Sequence, residues 1–285
     1  MKIVKTIDEV RSIVGKWKAE GLTVGLVPTM GFLHEGHKSL IDRAVAENDR
    51  VVVSDFVNPT QFGPGEDLEA YPRDMRHDAQ LCEDAGADLI FNPEPSEMYY
   101  DDSAAYVNIT SLSDELCGKS RPIHFKGVCT VVSKLFNIVK PDRAYFGQKD
   151  AQQLAIIKRM VRDLNFDVEI VGCPIVREPD GLAKSSRNTY LSAEERKAAL
   201  ILSKAVKLGE DMANGGENDA EKIVSKMTEL INTEPAARID YVQAVDAVSI
   251  KPVKTMEGSV LVAMAVYIGK TRLIDNFIFE KQRRK

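Results

Sequence analysis

Apolar side chains recur along this chain in two rhythms. Ile7, Val10, Ile13, Val14 and Trp17 follow helical spacing, and Thr6 with Glu9 three residues later has the pattern of a capping box, so a helix is predicted to open the chain and to stop at Gly21. The run LTVGLVP at 22–28 is too short and too apolar for a second helix and predicts a strand buried on both faces. Helical spacing resumes in HKSLIDRAVAEN through Leu40, Ile41, Ala44 and Val45. RVVVSDFVN then reads as strand, MRHDAQLCEDAG as helix and ADLIFNP as strand. Such an alternation favours a parallel sheet with crossover helices.

The alternation continues with GVCTVVSKLFNIVK as helix despite its β-branched residues, RAYF as strand, DAQQLAIIKRMVRDLN as helix and DVEIVGCPIV as strand. It stops at 177–191, REPDGLAKSSRNTYL, a polar stretch rich in turn formers that predicts a mobile loop around a domain boundary. Beyond it, 192–216 reads as one helix, with a second capping-box spacing at Ser192 and Glu195 and paired glycines at its end. A helix at 219–232 and strand-like runs YVQAVDA, SVLVAMAVYIG and RLIDNFIFE complete a small α+β domain. No internal repeat or low-complexity segment interrupts this order.

Length changes the picture in one respect: 285 residues exceed the usual size of one hydrophobic core, so a large domain plus a smaller one is expected. Charge changes it in another. A net charge of −5 and a pI near 5.6 argue against a nucleic-acid partner, which needs a basic surface. The N-terminus carries Asp8, Glu9 and Arg11 among its apolar residues and lacks a signal-peptide core, and no run approaches the length of a membrane span. Cys82, Cys117, Cys129 and Cys173 form no C-x-x-C pair and read as reduced residues. A cytoplasmic chain without a membrane partner is the expectation.

In a parallel sheet, ligands gather at the carboxyl ends of strands, and the first strand-to-helix turn here reads TMGFLHEGH. Gly31 can adopt a backbone shape closed to other residues, and Gly36 removes bulk where a ligand would lie. His34 and His37, three apart at a helix start, can face one side next to unbonded N–H groups and make an anion site that also donates hydrogen bonds. The same pair equally suits a capped, solvated helix start. HEGH lacks zinc-protease spacing, and His77 and His124 have no motif relation to it, which disfavours a metal. No G-x-x-x-x-G-K-[ST] occurs, and GPGEDL matches only two glycines of the dinucleotide fingerprint, so a bound nucleotide requires another design.

Three further blocks carry polar chemistry. In GLAKSSRN, Lys184, Ser185, Ser186 and Arg187 suit a polyphosphate, or else an ordinary linker. In FGQKDAQQ, Lys149 and Asp150 sit at a strand-to-helix turn and suit phosphate and ribose, although Asp150 also fits a plain helix cap. The amides Asn58 and Gln61 in FVNPTQFGPGEDLEAYPR suit orientation of a polar substrate. Arg121 in RPIHF can pair with a carboxylate or with a surface acid.

In this order, PTMGFLHEGH, FVNPTQFG, YPRD, RPIHFKGV, KPDRAYFGQKDAQQL and DGLAKSSRNTYLS closely resemble the signatures of the pantothenate synthetase family, and the likeness runs from about residue 1 through the C-terminal domain. PTMGFLHEGH resembles the HIGH motif of class I nucleotidyl-transferring enzymes, and KSSRN resembles their KMSKS loop. The resemblance implies an α/β fold with a Rossmann-like parallel sheet of the HIGH-motif nucleotidyltransferase type at 1–177, a small α+β lid domain at 178–285, and a homodimer. It implies ATP with Mg²⁺, (R)-pantoate and β-alanine as substrates, joined through a pantoyl-adenylate with release of AMP and pyrophosphate.

Carried over by position, the resemblance places Met30, Gly31, Phe32, Leu33, His34, Glu35, Gly36 and His37 at ATP, with His37 as the proton donor and His34 and Lys149 as further catalytic groups. Gly147, Gln148, Lys149 and Asp150 would hold ribose and phosphate, Val176 would touch adenine, and Lys184, Ser185, Ser186 and Arg187 would cover the phosphates. Gln61 and Gln153 would bind pantoate with Asn58 and Arg121 near them; no metal ligand is assigned. Gln148, Lys184 and Ile123 depart from the family's frequent Glu, Met or Leu, and Gly. A nucleotidyltransferase acting on a phosphorylated acceptor would share the two-histidine turn without predicting FVNPTQFG or the Gln153 block. A class I aminoacyl-tRNA synthetase would need a basic tRNA-binding domain, and a regulatory nucleotide-binding module would bind without turnover.

Overall fold

The computed structural model describes residues 1–281. They fall into two compact units: 1–110, 121–148 and 156–174 form the first, and 111–120, 149–155 and 175 onward form the second.

The first unit is built on β1 (Lys2–Val4), β2 (Val24–Thr29), β3 (Arg50–Asp55), β4 (Leu89–Phe91), β5 (Arg143–Gly147) and β6 (Glu169–Cys173). They lie in the order β1-β4-β3-β2-β5-β6, and every pairing is parallel. Val24, Leu26, Val27 and Val51 to Val53 are almost fully buried, as expected of strands covered on both faces. The α/β class with a Rossmann-like parallel sheet is therefore the fold of this unit. β1 was not foreseen, because three residues on the sheet edge are too few to display a period.

The first helix spans Ile7–Ala19 and carries the expected capping box: Glu9 N donates to Thr6 Oγ1 at 3.3 Å, and Thr6 N donates to Glu9 Oε2 at 3.1 Å. The helix His124–Val139 begins earlier than its apolar pattern predicts. Phe125, Val128, Cys129, Val132, Leu135 and Phe136 are all buried, so burial offsets the weak helix propensity of its β-branched residues. Strand order reverses between β2 and β5, which makes the carboxyl ends of those two strands the topological switch point of the sheet. The segments that follow them are TMGFLHEGH and GQKD.

The second unit has an antiparallel sheet of β7 (Ala237–Asp246), β8 (Ser259–Ile268) and β9 (Thr271–Glu280) in that order, with the helices Leu200–Asn214 and Ala220–Ile231. Leu202, Val206, Ile223, Met227, Val262, Met264 and Phe277 share its core. The single helix predicted over 192–216 is two, Ala193–Ala198 and Leu200–Asn214. At the join Leu202 N bonds to the Ala199 carbonyl, three residues back, and this tighter turn has no glycine or proline to announce it.

The predicted irregular break at 177–191 is in fact tied down. Glu178 N donates to Leu182 O, Lys184 N to Val176 O and Gly181 N to Glu178 O, forming a small hairpin, and a 3-10 turn follows at Ser186–Tyr190. Arg177 fixes the base of this hairpin by a two-pronged pair with Asp275, at 2.7 and 2.9 Å, and by a third bond to Gly181 O. Glu178 and Asp180 both accept from Arg196.

Candidate active site

The turn after β2 is shaped from below by two acids. Gly31 has φ +77°, and a Cβ built there would lie 2.4 Å from Asp55 Oδ1, so both conformation and space demand glycine. Phe32 follows, also left-handed at φ 52°. Its N–H donates to Asp78 Oδ2 and that of Leu33 to Asp78 Oδ1, each at 2.7 Å. Asp78 comes from the helix Met75–Asp84 and Asp55 from the end of β3; both are buried. Neighbouring His77 lies 3.1 Å from the Leu33 carbonyl through Nε2, which donates there because a carbonyl oxygen can only accept.

His34 and His37 stand at the start of the helix Glu35–Glu47, with ring centroids 4.1 Å apart. Gly36 N donates to His34 Nδ1 at 3.1 Å, and His34 N donates to His37 Nδ1 at 3.3 Å. A ring nitrogen that accepts carries no proton, so both neutral rings bear theirs on Nε2. The two readings left open by spacing are thus compatible: the histidines cap their own helix with one nitrogen and present an N–H donor with the other. The helix start contributes its positive dipole end to the same place.

Beside this turn, Gln61 in the short helical turn Pro59–Gln61 and Asn58, which caps that turn, are both buried. Asn58 Nδ2 donates to Gln61 Oε1 at 3.0 Å, and Tyr99 OH donates to Asn58 Oδ1 at 2.7 Å. Gln61 Nε2 in turn lies 3.0 Å from Met30 Sδ, which joins the amide loop to the two-histidine turn. Gly127 makes this arrangement fit: a Cβ there would sit 2.4 Å from Thr60 O and 2.5 Å from Gln61 Cα. Arg121 is held by Glu66, at 2.9 Å through Nε and 2.6 Å through Nη2, and touches Gln61 O at 3.4 Å. Arg121 holds Glu66 below the usual carboxylate range against the opposing effect of burial. His124 Nδ1 also donates to Gln61 O, at 3.1 Å.

The first unit thus brings together Met30 to His37, Asn58, Gln61 and Arg121. Gly147 ends β5, which pairs with β2 in the same sheet, and Gln148 follows it in a 3-10 turn.

In the second unit, Lys149 Nζ donates to Asp150 Oδ2 at 3.1 Å, and Asn276 Nδ2 donates to the Lys149 carbonyl. Gln153 is half-buried. Its neighbour Gln152 is buried and holds the 112–117 loop through Cys117 N, Leu112 O and Glu115 O. Val176 and Lys184 are joined through the hairpin, Arg187 N donates to Ser185 Oγ at 3.3 Å, and Ser186 is buried.

A model of the pantoate-beta-alanine ligase family matches residues 2–278. The chain belongs to that family. It is 64% identical over 282 residues to a pantothenate synthetase of Enterococcus faecalis, covering 99% of this chain and 100% of that one. It is 63% identical over 277 residues to one from Clostridium acetobutylicum, covering 97% and 99%. Among solved structures, the pantothenate synthetase of Thermus thermophilus superposes with a TM-score of 0.93 at 45% identity, covering 97% of this chain and 99% of that one. A pantoate-beta-alanine ligase of Francisella tularensis, complexed with beta-gamma ATP and beta-alanine, does so with 0.81 at 36%, covering 98% and 97%.

Against the family motifs, the residues that sequence reasoning missed are Asp55, Asp78 and His77. The strand RVVVSDFVN and the helix MRHDAQLCEDAG were both read from the sequence, but nothing in either run shows that one acid would come to lie against the other beneath Gly31.

Proposed function

We propose that this family member condenses (R)-pantoate with β-alanine using ATP, in two displacements. The pantoate carboxylate attacks the α-phosphorus of ATP, and pyrophosphate leaves. The β-alanine amine then attacks the acyl carbon of pantoyl-adenylate, and AMP leaves. A carboxylate alone cannot acylate an amine in water because oxide is a poor leaving group, which is why activation comes first. The observation that carries this reading is the two-histidine turn at the switch point, with both rings locked as Nε2–H donors at a helix N-terminus. Developing negative charge on a transferring phosphoryl group is what such donors stabilise.

In this reading His37 donates to the phosphates, with His34 beside it and Met30 to Gly36 forming the floor of the nucleotide site. Gln61 and Gln153 orient pantoate, Asn58 fixes Gln61, and Arg121 acts next to them through the Gln61 backbone. Gly147, Gln148, Lys149 and Asp150 serve ribose and phosphate, Val176 the adenine, and Lys184 to Arg187 the polyphosphate. Lys184 adds a cation where the family often has an apolar residue. A lid role for 178–285, a homodimer and a cytoplasmic location belong to the same proposal. Among the described residues no group of three or more His, Cys, Asp or Glu side chains is placed to hold a metal ion. Mg²⁺ is taken to arrive on the ATP phosphates, as this ion usually does. Among the described residues no helix is long and apolar enough to cross a membrane.

The direct test is to incubate the chain with ATP, Mg²⁺ and pantoate, with and without β-alanine, and to follow AMP and pyrophosphate. AMP release dependent on both acids supports the proposal. Transfer of a nucleotidyl group to a phosphorylated acceptor, or binding without turnover, overturns it. The Gly127 seam gives a second expectation. Because the atoms a new Cβ would meet are backbone, no side-chain rotation relieves them, and Gly127→Ala should destabilise by about 1–3 kcal/mol. It should also raise KM for pantoate more than KM for ATP, since the displaced segment carries Gln61. Denaturant unfolding and paired saturation curves check the two halves.

A further inference from the structure

The acids beneath the turn take no part in the chemistry just described, yet they occupy its foundation. Asp78 accepts from two successive backbone N–H groups, one at each oxygen, which is the natural task of an ionised carboxylate. Asp55 Oδ1 and Asp78 Oδ2 lie 2.4 and 3.3 Å from the position that a Gly31 Cβ would take, so the two buried carboxyls face each other there, and two carboxyl groups can bond to each other only through a proton. Among the described residues Asp55 Oδ2 has no hydrogen-bond partner, while its Oδ1 lies where a Gly31 side chain would otherwise be.

Resting on the functional reading above, we infer that Asp55 and Asp78 are a positioning pair that shares one proton. Asp55 keeps the proton and donates it to Asp78, and ionised Asp78 clamps Phe32 and Leu33 so that His34 and His37 are presented in register. The two roles are unequal, because only Asp78 touches the turn through hydrogen bonds to its backbone.

The surroundings agree with this assignment. Burial first, and the neighbouring Asp78 charge second, push the Asp55 carboxyl up to about 7. Burial also raises Asp78, but the Leu33 and Phe32 N–H groups oppose that rise and favour its ionised form. The titratable groups facing the pair are His77 and Cys82, both on the helix Met75–Asp84. The His77 ring is engaged with the Leu33 carbonyl, and burial pushes the Cys82 thiol up to about 12, which leaves it neutral. The turn itself, 29–33, contributes no ionisable side chain.

The sign of the pH effect follows. A carboxyl raised on folding binds its proton more tightly in the folded state. Its stabilisation is complete below the unfolded value of about 4 and is lost as the pH rises through about 7. Above that, two facing carboxylates would strain the turn. Asp55→Asn supplies a permanent donor to Asp78, so it imitates the protonated acid at every pH. Asp78→Asn turns one acceptor into an N–H₂ aimed at a backbone N–H.

The experiment measures pantoate-dependent pyrophosphate release by the full chain and its Asp55→Asn and Asp78→Asn variants from about pH 6 to 9, with melting temperatures from about pH 5 to 8. Asp55→Asn is expected to retain at least about tenfold more kcat/KM for ATP than Asp78→Asn, and its rate relative to wild type should climb at least about threefold from low to high pH. Its melting temperature relative to wild type should also climb as the pH is raised. Equal losses in the two variants, or a pH-independent ratio of Asp55→Asn to wild type, overturn the inference. If Asp78→Asn does not fold, the Asp55→Asn pH ratio decides alone. A wild-type chain that releases no pyrophosphate refutes the functional reading instead, and the pH dependence of the melting difference still tests the shared proton.

Discussion

His37→Ala is expected to slow adenylate formation about 100-fold or more, the usual loss when one donor to a transition state is removed. Pantoate-dependent pyrophosphate release in a single turnover measures it directly. The structure warns of a confounding effect, because His37 Nδ1 also accepts from His34 N and the alanine variant loses that cap. Loss of a cap costs about 1 kcal/mol of stability, which a melting curve resolves. His37→Asn separates the two roles. Its side-chain oxygen can replace Nδ1 as acceptor, but it has nothing in place of Nε2–H. A capped, stable and still slow His37→Asn enzyme supports the donor role; pyrophosphate release near the wild-type rate in either variant removes His37 from the chemistry.

Arg177→Met should have the largest effect on stability. Asp275 is almost wholly buried and accepts both prongs of Arg177 as well as its neighbour's N–H, whereas the arginine is partly reached by water. Removing the cation leaves a buried carboxylate with no charge opposite, at a cost of about 3 kcal/mol, the lower end for such pairs because of that exposure. Replacing both partners, Arg177→Met with Asp275→Leu, should recover a large part of the loss, since a buried pair taken away whole is often nearly neutral. Denaturant midpoints for the two single variants and the double variant close the cycle. A double variant as unstable as Arg177→Met alone would mean that the arginine acts through its bond to Gly181 O rather than through the ion pair.

Much of this was legible in advance where local chemistry decides. The Thr6 and Ser192 capping boxes are closed by short-range bonds, and both were read correctly from three-residue spacing. Strands β2 and β3 announced themselves because burial on both faces leaves an unbroken apolar run. Failures cluster where partners are distant in sequence. The 177–191 stretch looked irregular because its order comes from Asp275, nearly a hundred residues further on, and from Arg196, and turn-forming residues cannot reveal either. The candidate histidines were visible, and so was the ambiguity between cap and donor; only the geometry showed that each ring accepts a backbone N–H at Nδ1, which leaves the proton of the neutral ring on Nε2. Asp55 and Asp78 were invisible for the same reason as Asp275: an acid at a strand end and an acid early in a helix are both ordinary until the fold sets them face to face.

The contact of Gly127 with the backbone of Thr60 and Gln61 bears on redesign. Libraries that vary the amide loop alone to accept a different acid would retain a rigid wall that tolerates no displacement of that loop. Recombination that inherits 58–61 from one parent and 121–127 from another would bring together surfaces that were never fitted to each other. The two stretches are best exchanged as a single cassette, with crossover points outside both.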